Sequence, residues 1–339
     1  MSPLFPGFGV ALPIQEEFRV ADLVALAVRA EETGFATVWT GEIAGPEIFS
    51  LLGAVAVSTD SVRLGAGVVS VFTRSAALTG MGFATLAGLA PGRVVAGIGV
   101  GSRFIVERWH GGAFTDTAET LVEYAEVLRS VVAGERIAHP GPRVHVDAFR
   151  VTVPDAAPMP VFFGAMTPLG LRLAGRHADG VVLAFCPPSE IARRVGIVRD
   201  AAAAAGRDPD DVEIVAYLNC DAGDHTEAAV ERMRRLIVQY AVQPTHAPSF
   251  VGVFDRIEEA QRLWAAQDRA AAAALVDDDV VAALTPVGEA ALVVDRLSEM
   301  RAAGVDEAIV FPQVPTPGDS ASALVTVERV AAELARRAS

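Results

Sequence analysis

Two glycine-rich segments have the residue types and spacing to hold a charged or flat ligand: GIGVGS at 97–102 and GAMTP at 164–168. Glycine lets a backbone approach a ligand closely. In the second segment Thr167 is placed to cap a helix whose first turn holds Pro168, leaving backbone N–H groups free for an anion. The candidate ligand contacts are Gly99, Gly101, Ser102 and Arg103 in the first, and Gly164, Ala165, Met166 and Thr167 in the second. Glycines at strand ends also occur for packing alone, so the pair of segments carries the argument. Glu42 and Glu107 are the acids best placed to move protons, a solvated or capping carboxylate being the alternative for each. Trp109 and His110 follow Glu107 and would line the same opening, whereas Trp39 reads as core.

Other chemistry is poorly supplied. All 28 basic side chains are Arg, and Lys is absent. Schiff-base aldolases and pyridoxal-phosphate enzymes need a lysine amine, and a P-loop needs its Lys, so all three are excluded. The six histidines, His110, His139, His145, His177, His225 and His246, show no HxxxH spacing, and no metal site is expected. There is no GxSxG, and Cys186 and Cys220 have no local activating cue. An apolar, glycine-lined pocket poor in nucleophiles suits a bound cofactor that carries the reaction.

Charge narrows the partners. The net charge is −14, from 42 acidic and 28 basic residues. Nucleic acid and anionic lipid both call for a basic face, so neither is an expected partner, and solubility is the simplest use of the excess. Two distant cysteines fit a reducing compartment. The first ten residues lack a signal-peptide pattern, and no run of 18 apolar residues occurs, so a cytoplasmic location is expected.

The elements that must position these residues show a repeat. A helical stretch, a turn with Gly and a short apolar strand recur in AVRAEETGFATVWT (27–40), TLAGLAPGRVVAGIG (85–99), LRLAGRHADGVVLAF (171–185) and LSEMRAAGVDEAIVF (297–311). In each, the Gly is expected to serve as a left-handed helix cap. Strands are predicted at 7–12, 36–40, 63–70, 93–99, 161–165, 180–185, 212–219 and 307–312, with helices at 19–33, 47–58, 115–133, 188–206 and 223–242 among the gaps. Eight apolar strands alternating with helices imply a (β/α)8 TIM barrel, with residues 1–339 as a single domain. An open doubly wound sheet fits less well, because no GxGxxG follows the first strand. Two intervals exceed plain connections: 134–160, a surface hairpin or loop after strand four, and 243–285 after strand seven. The second falls on the face where barrels place active sites, and reads as a lid or binding loop, or else as a packed decoration or dimer surface.

Taken in order, VWTGE (38–42), RLGAGVVSVFTRSA (63–76), TLAGLAPGRVVAGIGVGS (85–102), VERWHG (106–111), PVFFGAMTPLGLRLAGRHADGV (160–181) and AGVDEAIV (303–310) resemble the luciferase-like monooxygenase superfamily over nearly the whole chain. VERWHG points to the branch that uses coenzyme F420. The resemblance implies a bacterial-luciferase-type barrel and a homodimer. It implies a cofactor ring across the barrel mouth, close to Leu12, backed by a bulge at Gly67, Val68 and Val69 whose bond between Gly67 and Val68 is cis. It implies a cofactor phosphate at the loops 99–102 and 164–167, and hydride transfer to or from a small-molecule substrate. Glu42, Glu107 or His110 would move the accompanying proton. Two departures stand out: Gly41 and Glu42 occupy the place of the Asp-His of better-known members, and Gly101, Ser102 and Arg103 that of a frequent Ser-Gly-Pro. Two other functions fit the same motifs: a flavin-mononucleotide monooxygenase using reduced flavin and oxygen, and a non-catalytic flavin- or deazaflavin-binding protein.

Overall fold

Short apolar runs such as VVAGIG and VFFG cannot be hydrated on either face, and the chain buries them as parallel strands. The computed structural model describes all residues except 1, 2, 155, 156, 225, 226, 245 and 339; His225, considered above, lies outside the described residues. The strands are β1 (Phe5–Ala11), β2 (Phe35–Gly41), β3 (Arg63–Ser70), β4 (Val94–Gly99), β5 (Ile137–Pro140), β6 (His145–Phe149), β7 (Val161–Gly164), β8 (Gly180–Leu183), β9 (Glu213–Cys220) and β10 (Glu307–Pro312). Eight of them close into an all-parallel barrel in the order β1-β2-β3-β4-β7-β8-β9-β10, as predicted. The other two, β5 and β6, form an antiparallel hairpin within the predicted 134–160 interval.

The repeat works as read in two of its four copies. Gly34 caps helix Val20–Thr33 at φ 101°, its N–H reaching the carbonyls of Ala30 and Glu31, and Gly304 follows helix Ala290–Ala302 at φ +102°. In the 85–99 copy Gly92 supplies a left-handed turn, but the cap itself is Ala90. In the 171–185 copy the expectation fails: helix Pro168–His177 ends on Ala178 in extended backbone. Gly180 there answers a packing demand, since a Cβ would come within 2.5 Å of the Phe162 ring and 2.6 Å of the Glu213 carbonyl.

The core has three parts. Between strands and helices lies a continuous aliphatic layer. Inside the barrel Trp39, Phe162, Val95, Val182, Val215 and Ile309 pack with Tyr217 and Phe311, confirming Trp39 as core. At the N-terminal end of this interior Glu307 is buried, accepting hydrogen bonds from Thr37 and from Trp39 Nε1 (3.2 Å), while Arg63 pairs with Glu213 at 2.9 Å. That end of a barrel serves stability. The third cluster belongs to the long insertion, where helices Ile257–Ala265, Arg269–Ala274 and Asp278–Leu284 fold with Glu227–Ala241 around Phe250 and Phe254. The acidic run 277–279 thus starts a helix, Asp277 accepting from the Val280 N–H at 2.9 Å.

Candidate active site at the barrel mouth

The site starts with one extra residue. Along β2, Thr40 pairs with Ala66 and Gly41 with Val68, which skips Gly67; on the other side Gly65 pairs with Val95 and Val69 with Ile98. This is the bulge expected at 67–69. It turns Val68 into the barrel, over two strands that present glycine. A Cβ at Gly164 would stand 2.5 Å from Val68 Cγ1, and one at Gly99 would stand 3.3 Å from the same side chain. Gly67 itself lies against the hydroxyl of Tyr217. The expectation of a cis bond between Gly67 and Val68 is not met: no cis peptide occurs among the described residues. The inserted residue absorbs the change of register, so the direction of Val68 is reached with a trans bond.

Around this seat the loops are anchored by charge. Glu42, after β2, accepts from Arg74, after β3, at Nε (3.2 Å) and Nη2 (2.9 Å); Arg74 also pairs with Glu47 and covers the Phe49 ring at 5.2 Å. After β4, Gly101 takes φ +67° beside Ser70. The Ser102 hydroxyl then accepts from the Ile105 N–H at 3.3 Å and starts a π-helical turn, Ile105–Trp109. Such turns concentrate at functional sites. It leaves Glu107, Trp109 and His110 exposed, with Glu107 paired to Arg103 at 2.6 Å, Arg103 over the Phe114 ring and Trp109 against Phe104. After β7, Ala165 is buried, Met166 packs on the insertion core, and Thr167 caps helix Pro168–His177 by accepting from the Gly170 N–H at 3.1 Å, as predicted. Leu12 is buried after β1, its N–H bound to the Trp39 carbonyl at 2.8 Å.

Barrel order therefore gathers the sequence-predicted residues on one arc: Leu12 after β1, Glu42 after β2, the bulge of β3, residues 99–110 after β4 and 164–167 after β7. The opposite arc holds groups given no role from the sequence. Asn219 and Gln313 are buried side by side, Gln313 Nε2 donating to Asn219 Oδ1 at 3.1 Å, and the Tyr217 hydroxyl is buried with no hydrogen-bond partner among the described residues. Tyr217 and Asn219 hide inside IVAYLNC, an apolar-looking strand, and Gln313 follows β10. The cue was that 215, 217 and 219 share one face, on which a Tyr and an Asn interrupt the apolar series. Burial pushes the Cys186 thiol up to about 11 and the Cys220 thiol higher, so neither is a thiolate nucleophile. Among the described residues no group of metal-ligating side chains gathers.

These features suit a flat ring with a phosphate arm. The glycines at 99 and 164 give the Val68 side chain the room to lie across the mouth, where it offers an apolar backing, and the capped helix at Thr167 with the 99–103 loop offers backbone donors and Arg103 to an anion. Residues 4–307 match the luciferase-like monooxygenase family. The chain is 34% identical over 244 residues to the F420-dependent hydroxymycolic acid dehydrogenase of Mycobacterium tuberculosis, covering 67% of this chain and 66% of that one. It is 26% identical to the 5,10-methylenetetrahydromethanopterin reductase of Methanopyrus kandleri, covering 95% and 97%. The structure of the coenzyme F420-dependent tetrahydromethanopterin reductase from Methanopyrus kandleri superposes with a TM-score of 0.82 at 23% identity, over 96% of this chain and 99% of that one. A barrel with this bulge, these mouth loops and a match over nine-tenths of its length belongs to the luciferase-like monooxygenase family.

Proposed function

We propose that this chain is an oxidoreductase that works with coenzyme F420 and passes hydride to or from a small organic substrate. The observation that carries the reading is the Val68 bulge facing Gly99 and Gly164, a seat for a planar ring, in a chain whose relatives include F420-dependent enzymes. Bound coenzyme F420 supplies a ring carbon that accepts or donates hydride. The protein's part is to hold the ring against Val68, with Gly67 and Val69 fixing its backbone and Leu12 closing one side. Gly101, Ser102, Arg103 and the 164–167 turn take the phosphate. A proton at the substrate heteroatom is handled from the loops after β2 and β4, by Glu42, Glu107 or His110. The insertion, seated on Phe185 and Met166, forms the substrate side of the mouth.

The protein is proposed to act as a homodimer. Helices Ile48–Ser58 and Ala76–Leu89 carry no charged residue, and they expose Val57, Leu78, Met81 and Leu89. Exposed apolar side chains on two uncharged neighbouring helices support an interface between copies. No helix among the described residues is long and apolar enough to cross a membrane. With two buried free thiols, a reducing cytoplasm is its proposed location.

The test is fluorescence titration with coenzyme F420 and, separately, with flavin mononucleotide. Saturable binding of the deazaflavin at micromolar concentration or tighter, with little affinity for flavin mononucleotide, is expected. Preference for flavin mononucleotide would move the chain to the oxygen-using class, and tight cofactor binding with no reduction by any donor would mark a non-catalytic binder.

A further inference from the structure

Helix Pro188–Ala204 begins at the C-terminal end of β8 and turns one face to the barrel. Ile191, Val198 and Ala202 on that face are fully buried, as the helical period requires. Arg194 stands among them, 1% exposed. Its Nε and Nη1 bond nothing, and no carboxylate pairs with it among the described residues. The neighbouring Arg193 shows the contrast, because it lies at the surface and takes Glu190 for itself. Buried arginine is normally paired, since a desolvated charge without a counter-ion is strongly destabilising.

Helical side chains lean toward the N-terminus, so the Arg194 guanidinium reaches back along the first turn of its helix. Its charge is felt there by the Cys186 thiol, the residue after Phe185 at the mouth. The same turn begins at Pro187, which provides no side-chain cap; Pro187 and Pro188 have no N–H and the Glu190 and Ile191 N–H groups bond the Pro187 carbonyl, so the helix end contributes the Ser189 N–H and the positive end of its dipole. This corner adjoins the 164–167 turn, because β7 and β8 are neighbours and the Ala165 N–H bonds the Val182 carbonyl at 3.2 Å.

We propose that Arg194 and the first turn of helix Pro188–Ala204 form an oxyanion receptor that takes a carboxylate or phosphate group of a ligand in the barrel mouth. The receptor itself does not depend on the oxidoreductase reading; assigning its anion to the substrate or to the cofactor phosphate does.

The experiment is thermal unfolding of the apoprotein against inorganic phosphate, with sodium chloride at equal ionic strength as the control, for wild type, Arg194→Met and Arg194→Lys. Wild type should gain several degrees saturably in phosphate and little in chloride. Arg194→Met should lose the phosphate response and melt above wild type in its absence, because the uncompensated charge is gone. If Arg194→Met fails to fold, Arg194→Lys decides, since an ammonium lacks the planar fork: a phosphate midpoint about tenfold weaker supports the receptor, and an unchanged midpoint overturns it. A wild type that responds no more to phosphate than to chloride, or an Arg194→Met protein with the wild-type response, also overturns it. Titration with coenzyme F420 then separates the sources. Affinity reduced about tenfold in Arg194→Met assigns the anion to the cofactor, whereas unchanged affinity assigns it to the substrate. Failure of wild type to bind the cofactor at all would remove the oxidoreductase reading, and the phosphate response alone would then decide for or against the receptor.

Discussion

The bulge in β3 rests on a contact that can be broken from either side. A methyl group added at Gly67 would fall well inside contact distance of the Tyr217 hydroxyl and 3.1 Å from the Thr40 carbonyl oxygen. Thr40 belongs to a paired strand and cannot retreat, so Gly67→Ala must displace the phenol or flatten the bulge. Overpacking of this size costs about 2–3 kcal/mol. Tyr217→Phe removes the obstructing oxygen, which is buried and bonds nothing. Loss of an unsatisfied hydroxyl should stabilise the protein by about 1 kcal/mol. In the double variant the methyl occupies the space the oxygen leaves, and the cycle should show about 1–2 kcal/mol of favourable coupling. Denaturant unfolding of the four proteins measures this. Titration with coenzyme F420 should follow it, with affinity about tenfold weaker in Gly67→Ala and largely restored in the double variant, a change of about 1.4 kcal/mol. Additivity within about 0.5 kcal/mol would refute the reasoning, since the methyl and the hydroxyl would then not compete for one space.

Other predictions concern charge, loop and assembly. Burial pushes the Glu307 carboxyl from its ordinary 4.5 up to about 7. The unfolded chain therefore releases this proton before the folded one, and its contribution is complete below pH 4.5 and is lost as pH rises to about 7, a fall of about 3 kcal/mol that Glu307→Gln should abolish in unfolding measured across that window. Glu107→Gln should leave cofactor affinity near normal and lower turnover by about 10²–10⁴-fold if Glu107 carries the proton; unchanged turnover would hand the role to Glu42 or His110. Gly101→Val sets a β-branched residue at φ +67° and should weaken cofactor binding by at least about tenfold, whereas unchanged affinity in titration would show that the loop does not touch the cofactor. Leu78→Glu with Met81→Glu should give monomers in sedimentation, and a dimer that persists would place the interface elsewhere.

Much of the barrel was legible because its signals are local. Apolar runs of four to eight residues, most of them entered from a helix, put all eight strands within a few residues of their observed ends, and Thr167 with Pro168 announced a helix start that the structure bears out. What escaped was set by neighbours distant in sequence. Gly180 looked like its counterparts at 34 and 304, but Phe162 and Glu213, brought beside it by strand pairing, decide its role. The trans bond at Gly67 depends on a register fixed jointly by β2 and β4. Arg194 read as one more arginine of an amphipathic helix; only the packing of that helix on the barrel shows it sealed in without a partner.

The insertion keeps its own hydrophobic cluster, meeting the barrel loops through Phe185 and Met166 but sharing none of the strand–helix layer. Substitutions in clusters that share no partners act nearly independently on stability. Drift around Phe250 and Phe254 can thus reshape one wall of the mouth, which meets the 164–167 turn at Met166, while the β3 bulge keeps its own register with β2 and β4. Selection can try new substrates against a fixed chemistry, and the barrel's stability sets no toll on the search.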